Sequence, residues 1–223
     1  ALDELGPAAR PMAGGTDLLL AMRDKGLALE ALVDISALPE LQGIEVLRDG
    51  SLSIGAGVTL RQIEMSPVVK RGWPILAEAV AGIGSMQVRN RGTIGGNLCN
   101  ASPAADSAPS LIVLNASAEI ASTSGSRLVP FDSFFAGPGK TVLVRGELLK
   151  RIIVPPMKRG MSAAFVAWGP RNAMDIDVAS AAVSLGLSDG LTCTEARVAL
   201  GAVAAIPIRA PLAETFLVGK LGD

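Results

Sequence analysis

Two short glycine-rich segments, about eighty residues apart, most restrict what this chain can fold into. The first is Ala13-Gly14-Gly15-Thr16-Asp17 and the second is Thr93-Ile94-Gly95-Gly96-Asn97. Each follows a short apolar or β-prone run and offers backbone N–H groups and a hydroxyl with no bulky side chain in the way. Consecutive exposed amides bind anions, and glycine allows a ligand to approach the backbone closely. Together the segments predict opposite sides of a cleft around a long, doubly phosphorylated ligand.

Composition excludes several classes of protein. The chain has 223 residues, of which 49% are hydrophobic and 18% charged, and its formal net charge is -1. Because nucleic-acid binding normally requires a basic surface, this balance argues against nucleic acid as the main partner. The sequence has no apolar run of membrane-spanning length and no recognisable signal peptide. We therefore expect a cytoplasmic protein with no membrane span.

The absence of particular side chains limits the chemistry. The sequence contains no histidine and no tyrosine, and it has two widely separated cysteines, Cys99 and Cys193. Ser-His-Asp triads, Cys-His pairs and histidine metal sites are thus excluded. Two cysteines alone do not hold an iron–sulfur cluster, which usually takes four thiolates. We predict no catalytic side chain and no metal site in this chain, so a cofactor must carry the chemistry.

Local signals divide the chain into three predicted parts. Residues 1–50 are expected to form an α/β unit, residues 51–157 a second α+β unit, and residues 158–223 a C-terminal α+β domain. Pro155-Pro156 and the following Lys158-Arg159-Gly160 mark the last boundary. Strands are predicted at 10–13, 31–35, 44–47, 52–55, 118–121, 128–130, 148–154, 163–168, 178–187 and 192–200. Helices are predicted at 17–25, 108–114 and 210–217, and three further helices are predicted to begin at Thr59, Ser66 and Pro74.

Longer motifs carry a family resemblance. The segments at 13–19 (Ala-Gly-Gly-Thr-Asp-Leu-Leu), 87–98 (Gln-Val-Arg-Asn-Arg-Gly-Thr-Ile-Gly-Gly-Asn-Leu), 100–106 and 146–149 resemble the FAD-binding medium subunit of the molybdenum hydroxylases. That family includes carbon monoxide dehydrogenase and xanthine dehydrogenase. The resemblance runs the length of the chain and is most specific from Gln87 to Asp106.

The resemblance implies both a fold and a set of cofactor contacts. The fold is α+β: a two-subdomain FAD-binding fold of the type shared with p-cresol methylhydroxylase-like flavoproteins, then a small, incomplete C-terminal domain with an antiparallel sheet and a helix. The two glycine segments are expected to hold the FAD pyrophosphate and ribityl chain. The implied FAD contacts are Ala13, Gly14, Gly15, Thr16, Asp17, Thr93, Ile94, Gly95, Gly96, Asn97, Asn100, Asp106 and Asp175.

Several of these residues have a second interpretation. Asp106 resembles a family carboxylate that accepts hydrogen bonds from ribityl hydroxyls, which suits an acceptor-only group, but it could instead cap the helix that follows. Asp175 matches a family position near the flavin ring, or it is a solvated turn residue. Arg89 and Arg91 are suited to phosphate, to a partner subunit or to a neighbouring carboxylate. Cys99 is assigned no catalytic role.

By resemblance, the chain is an electron-transfer subunit. It would take electrons from [2Fe-2S] clusters in a small partner subunit through FAD to NAD+, a quinone or another acceptor. A large partner subunit would hold molybdopterin cytosine dinucleotide or a related molybdenum cofactor, in a dimer of heterotrimers. A departure from the family lies between Phe165 and Arg171, where relatives often place a basic residue and this chain has none. The sequence also lacks the cysteine-bearing insertion of the 4-hydroxybenzoyl-CoA reductases.

Two alternative functions stay open at the level of sequence. A self-contained FAD-dependent reductase resembling the UDP-N-acetylenolpyruvoylglucosamine reductases would use similar glycine turns, but it needs its own substrate pocket and proton donor. A nucleotide-binding module without turnover would keep the glycine segments and bind flavin loosely or not at all.

Overall fold

The structure, a computed structural model, describes residues 2–6, 8–171 and 174–221. The helices are α1 (Leu2–Leu5), α2 (Leu18–Asp24), α3 (Leu60–Met65), α4 (Pro67–Gly72), α5 (Pro74–Ala81), α6 (Met86–Arg89), α7 (Ile94–Asn100), α8 (Ser107–Val113) and α9 (Pro211–Leu217). The strands are β1 (Ala9–Met12), β2 (Ala31–Asp34), β3 (Ile44–Val46), β4 (Leu52–Gly55), β5 (Ser117–Ser122), β6 (Gly125–Pro130), β7 (Phe135–Gly137), β8 (Lys140–Thr141), β9 (Leu148–Val154), β10 (Met161–Trp168), β11 (Ala179–Leu187), β12 (Cys193–Gly201) and β13 (Ile208–Arg209).

The N-terminal unit is a parallel strand pair joined through a helix. β1 and β2 pair in parallel, with α2 between them in the chain, which confirms the strand, helix and strand predicted at 10–13, 17–25 and 31–35. None of the α2 side chains is buried, and Leu19 and Leu20 are about half exposed. This unit therefore positions the first glycine segment with little support from a hydrophobic core.

An antiparallel five-stranded sheet in the order β3-β4-β9-β5-β6 forms the centre of the chain. A turn at Asp49-Gly50 joins β3 to β4, the two strands predicted at 44–47 and 52–55: Gly50 has φ +84°, and the Ser51 amide donates to Asp49 Oδ1 at 2.9 Å. Because β3 pairs with β4, the proposed boundary at residue 50 falls within this hairpin turn. The three-part division stays a prediction.

The helices next to this sheet begin where the sequence predicts. Thr59 forms a capping box with Gln62 at the start of α3, and Ser66 accepts from the Val69 amide at the start of α4. Pro74 opens α5, whose apolar side chains are buried in the core. These caps give hydrogen-bond partners to backbone amides in the first turns of short helices. They therefore stabilise the helices that precede the second glycine segment in the chain.

The second glycine segment differs from its sequence prediction. It follows a short helix, α6, and it forms the first turn of α7, whereas the sequence predicted a turn after a β-prone run. The reason is capping: Ser85 Oγ accepts from the Val88 amide at 3.2 Å in α6, and Thr93 Oγ1 accepts from the Gly96 amide at 3.0 Å in α7. These caps stabilise helices that two glycines would otherwise disfavour.

The C-terminal domain is an antiparallel sheet in the order β10-β11-β12-β13, with α9 against β12. The sheet also packs on α8 and α5, and Ala182 and Ala199 belong to the same buried core as the helices. The predicted boundary segment at Pro155-Pro156 is bound to the helical part of the chain, because Trp73 Nε1 donates a hydrogen bond to the Pro155 carbonyl at 2.8 Å. Strands β11 and β12 of the sheet lie against α8. In the part of the chain that the structure describes, no helix is long and apolar enough to cross a membrane.

Candidate cofactor site

The first glycine segment contacts residues on either side of the second, namely Arg91 and Gly92 before it and Asn100 after it. A Cβ on Gly14 would overlap the carbonyl oxygen of Arg91, and a Cβ on Gly92 would lie 3.4 Å from Thr16 Oγ1. Farther along, Asn100 Nδ2 donates to Asp17 Oδ1 at 3.4 Å. The segments therefore form one continuous surface, where the sequence predicted two opposite sides of a cleft.

The first segment offers free donors. Within the described residues, the backbone N–H groups of residues 14–17 donate to no protein acceptor. Gly15 has φ +76°, a conformation that favours glycine, and the Asp17 side chain makes no capping hydrogen bond to α2. Adjacent unpaired amides before a helix can bind anionic oxygens. This segment therefore fits the pyrophosphate of a dinucleotide.

The second segment does not offer the free amides that the sequence predicted. The Ile94 and Gly95 amides donate to the carbonyls of Val58 and Ala56, each at 2.9 Å. The Gly96 amide donates to Thr93 Oγ1, and the Asn97 amide donates to the Thr93 carbonyl. The Ile94 side chain is fully buried. Any ligand contact here must use side chains and the Gly96 surface.

The neighbouring glycines of this segment have different surroundings. A Cβ on Gly95 would lie 2.6 Å from the Ala56 carbonyl oxygen, so Gly95 is required for packing. A Cβ on Gly96 would meet only Thr93 Oγ1, at 3.0 Å, and Gly96 is exposed. A ligand can therefore approach the backbone at Gly96.

Polar side chains continue from this surface to the start of α8. Asn97 Oδ1 accepts from Ser107 Oγ at 2.6 Å. Asp106, just before α8, makes no side-chain capping bond, so capping does not explain its carboxyl group. Its Oδ1 is buried without a hydrogen-bond partner, and burial, with a smaller contribution from Asp177, raises the pKa of Asp106 to about 8. An unpaired buried acceptor is costly and fits a donor from a ligand.

Asp177 is the residue that sequence reasoning missed at this site. Only its neighbour Asp175 was selected, although both acids stand in the Asp175-Ile176-Asp177 run. The contact between Asp177 and Asp106 is a tertiary one, which the sequence signal alone does not give.

The Asp175 carboxylate has its hydrogen-bond partners within its own loop. Its carboxylate accepts from the Arg171 and Ile176 amides at 2.7 and 2.9 Å and forms an ion pair with the Arg171 guanidinium at 3.2 Å. Burial opposes ionisation of Asp175, but these partners outweigh it and lower the pKa. Asp175 and Asp177 line a cavity of about 370 Å³ together with Trp168. Residues 172 and 173 of this segment lie outside the described residues, and a flavin contact of Asp175 stays a prediction.

Arg89 binds a neighbouring carboxylate, one of the roles that the sequence left open. Its Nε lies 2.9 Å from Glu64 Oε2, and its Nη1 donates to the carbonyls of Ile83 and Gly84. Arg61 also pairs with Glu64. Arg89 therefore fixes α6 against α3, while the exposed Arg91 contributes its carbonyl to the contact with Gly14.

We expect the Glu64→Gln variant to unfold with about 2 kcal/mol less free energy at pH 7, because Arg89 loses its carboxylate partner in a largely buried place. Burial opposes ionisation of Glu64, but the two arginines outweigh it and hold the pKa below its ordinary value of 4.5. The lowered pKa means that this contribution is full above pH 4.5 and is lost as the pH falls further. Urea unfolding at pH 7 and pH 4 measures it, with exposed Glu78→Gln as the control. An equal loss at both pH values would contradict the assignment.

Cys99 and Cys193 do not form a disulfide with each other. Both are free, and burial raises the pKa of the Cys99 thiol to about 12. Within the described residues, no group of three or more Cys, Asp or Glu side chains could hold a metal ion.

Comparison with known families defines the class of protein. The family described as the FAD binding domain in molybdopterin dehydrogenase matches residues 1–157, and the CO dehydrogenase flavoprotein C-terminal domain matches residues 164–223. The chain is thus a flavoprotein made of a FAD-binding domain and the C-terminal domain that accompanies it. It belongs to the FAD-binding subunits of the molybdenum hydroxylase family.

Individual relatives agree with this assignment. The chain is 38% identical over 209 residues to the xanthine dehydrogenase FAD-binding subunit of Escherichia coli O157:H7, covering 93% of this chain and 71% of the relative. It is 36% identical to the carbon monoxide dehydrogenase medium chain of Hydrogenophaga pseudoflava, covering 98% and 75%. These relatives are subunits of oxidoreductases, and a medium chain implies larger and smaller chains in the same complex.

Solved structures match over the whole chain. Carbon monoxide dehydrogenase from Hydrogenophaga pseudoflava, in a form that lacks the Mo-pyranopterin moiety, superposes with a TM-score of 0.95 at 36% identity and covers 100% of this chain and 76% of its own. Quinoline 2-oxidoreductase from Pseudomonas putida 86 gives a TM-score of 0.92 at 35% identity, covering 100% and 77%. The α+β fold expected from the resemblance is confirmed.

Proposed function

We propose that this chain relays electrons within a molybdenum hydroxylase complex. It would accept them from [2Fe-2S] clusters of a small subunit and deliver them to NAD+, a quinone or another acceptor. A large subunit with molybdopterin cytosine dinucleotide or a related molybdenum cofactor would oxidise the substrate, and the complex would be a dimer of heterotrimers. The three-part division assigns residues 1–50 and 51–157 to FAD and 158–223 to the domain that closes over it.

The observation that carries this proposal is the contact between Gly14 and Arg91. It places the unpaired amides of residues 14–17 on one surface with Gly96 and Asn97 of α7. Beneath this surface, the buried Ser107 hydroxyl donates to Asn97, and the buried Asp106 is the neighbour of Ser107 in the chain. A dinucleotide needs an anion site at one point and donors and acceptors for a polyol farther along, and this surface supplies both.

Each part of the surface has a separate task in this proposal. The amides of residues 14–17 would donate to pyrophosphate oxygens, and the absence of a side chain at Gly96 would let the cofactor lie against α7. Asn97 and Asn100 would orient the chain of the cofactor, and Asp106 would accept its hydroxyls. Bound FAD supplies the exchange between one-electron and two-electron transfer, while the protein binds and orients it.

The visible spectrum and the native partners of the chain test the proposal. We expect the purified chain to take up FAD, and a pull-down from its native host to recover iron–sulfur and molybdenum polypeptides. A lone flavoprotein that oxidises NADPH with a small soluble substrate would support the self-contained reductase instead. A colourless protein that cannot be reconstituted with FAD would support the nucleotide-binding module without turnover.

A further inference from the structure

Unpaired polar atoms concentrate at the joint between α8 and the C-terminal sheet. Asp106 Oδ1 lies just before α8 and Ser110 Oγ lies in the middle of that helix, while Asp177 Oδ2 lies just before β11 and Ser180 Oγ lies in its second residue. All four atoms are buried and have no hydrogen-bond partner. Within the described residues, Arg151 Nε is the one other buried side-chain atom without a hydrogen-bond partner. Buried polar groups in native proteins are normally paired. The polar atoms of this joint therefore suit a partner that forms hydrogen bonds with them.

Asp106 directly precedes α8 and Asp177 precedes β11, two elements that pack together, and Asp177 is near enough to raise the pKa of Asp106. Among the described residues, neither has a Lys or Arg partner. The charged residues on the elements packed against α8 do not pair with these two carboxyls. Glu78 on α5 and Asp132 beside α8 are exposed to solvent, and Glu195 and Arg197 of β12 form an ion pair with each other. Two adjacent carboxyls without a cation cannot both ionise easily in buried surroundings.

We propose that Asp177 is a second cofactor-positioning residue, whose carboxyl shares one proton with Asp106 across the domain joint and leaves the outer oxygens of the pair to accept hydroxyl groups of FAD. This inference rests on the proposed function, because it takes FAD as the ligand. It gives the C-terminal domain a direct part in holding the cofactor.

The shared proton makes cofactor affinity depend on pH. With one proton between them, the two carboxyls attract each other and keep α8 and β11 together. Burial and the neighbouring Asp177 raise the pKa of Asp106 to about 8, so the shared proton leaves in mildly alkaline solution. Two carboxylates then repel each other, and the acceptor oxygens move apart.

The Asp177→Asn variant separates this role from a merely structural one. An amide N–H would replace the shared proton at every pH, and an amide oxygen would remain to accept a hydroxyl. Asp177→Ala would remove both. Asp189→Asn, in the exposed turn between β11 and β12, is the matched control.

The experiment measures FAD affinity of the purified chain by quenching of flavin fluorescence between pH 6.5 and pH 9.0, with circular dichroism to verify folding at each pH. We expect the FAD Kd of the unmodified chain and of Asp189→Asn to rise about tenfold over this range. Asp177→Asn should keep the pH 6.5 affinity within about threefold and lose the pH dependence, and Asp177→Ala should bind about tenfold more weakly throughout.

Two outcomes would overturn the inference alone. Either Asp177→Asn retains the decline of the unmodified chain, or Asp177→Ala binds FAD as tightly as the unmodified chain. If the unmodified chain binds no FAD at any pH, the proposed function itself fails and this inference fails with it.

Discussion

The Gly96→Val variant should fold normally and lose FAD. Gly96 is exposed in the first turn of α7, and a Cβ there meets only Thr93 Oγ1. Valine in this turn is no worse for a helix than glycine, so we expect the free energy of unfolding to change by less than about 1 kcal/mol. The valine methyl groups would occupy the surface on which the cofactor is proposed to lie. We expect the FAD Kd to rise at least about a hundredfold, equal to about 2.8 kcal/mol of binding free energy.

Flavin content after purification and fluorescence titration with FAD measure this effect, and urea unfolding of the apo chain verifies the fold. Gly72→Ala is the control, because no atom lies within 4 Å of a Cβ at that position and Gly72 lies in α4. A Gly96→Val chain that retains its full complement of FAD would refute the role assigned to the second glycine segment.

The adjacent Gly95→Ala variant should have the opposite profile, with its main effect on stability. The new Cβ would lie 2.6 Å from the Ala56 carbonyl oxygen and 2.7 Å from the Ala56 Cβ, both in the buried core. It would also strain the hydrogen bond from the Gly95 amide to that carbonyl. Overpacking of this kind costs about 2 to 3 kcal/mol, which exceeds the gain of about 1 kcal/mol for alanine over glycine in a helix.

The free energy of unfolding from urea titration of the apo chain is the relevant measurement for Gly95→Ala. The same Gly72→Ala control applies, since it makes the same chemical change in a helix without a neighbour to overlap. If Gly95→Ala is as stable as Gly72→Ala, then the close packing of α7 against the end of β4 does not hold in solution.

Local signals were sufficient for most of the fold. The strands at 44–47 and 52–55, the helix starts at Thr59 and Ser66 and the long strands of the C-terminal sheet depend on neighbouring residues in the chain, and the structure confirms them. The family resemblance correctly implied the two domains that the comparisons identify. Short elements such as α6, β7 and β8 were not predicted because two to four residues carry too little periodicity.

The site itself depends on tertiary contacts that no local signal contains. The sequence could not show that the amides of Ile94 and Gly95 are used by Val58 and Ala56, because those carbonyls belong to a distant segment. It also could not show that Asp177 reaches Asp106 from another domain. The glycine segments were located correctly, but which glycine serves packing and which faces a ligand required the structure.

The hydrogen bond between Asn100 and Asp17 joins residues 83 positions apart in the chain. Contacts of such sequence separation require a long loop to close, which costs conformational entropy. The dinucleotide surface therefore does not exist in a partly folded or partly synthesised chain, even where β1, α2 and the first glycine segment are already in place. Under the proposed function, we therefore expect FAD to bind only a chain in which this contact has formed.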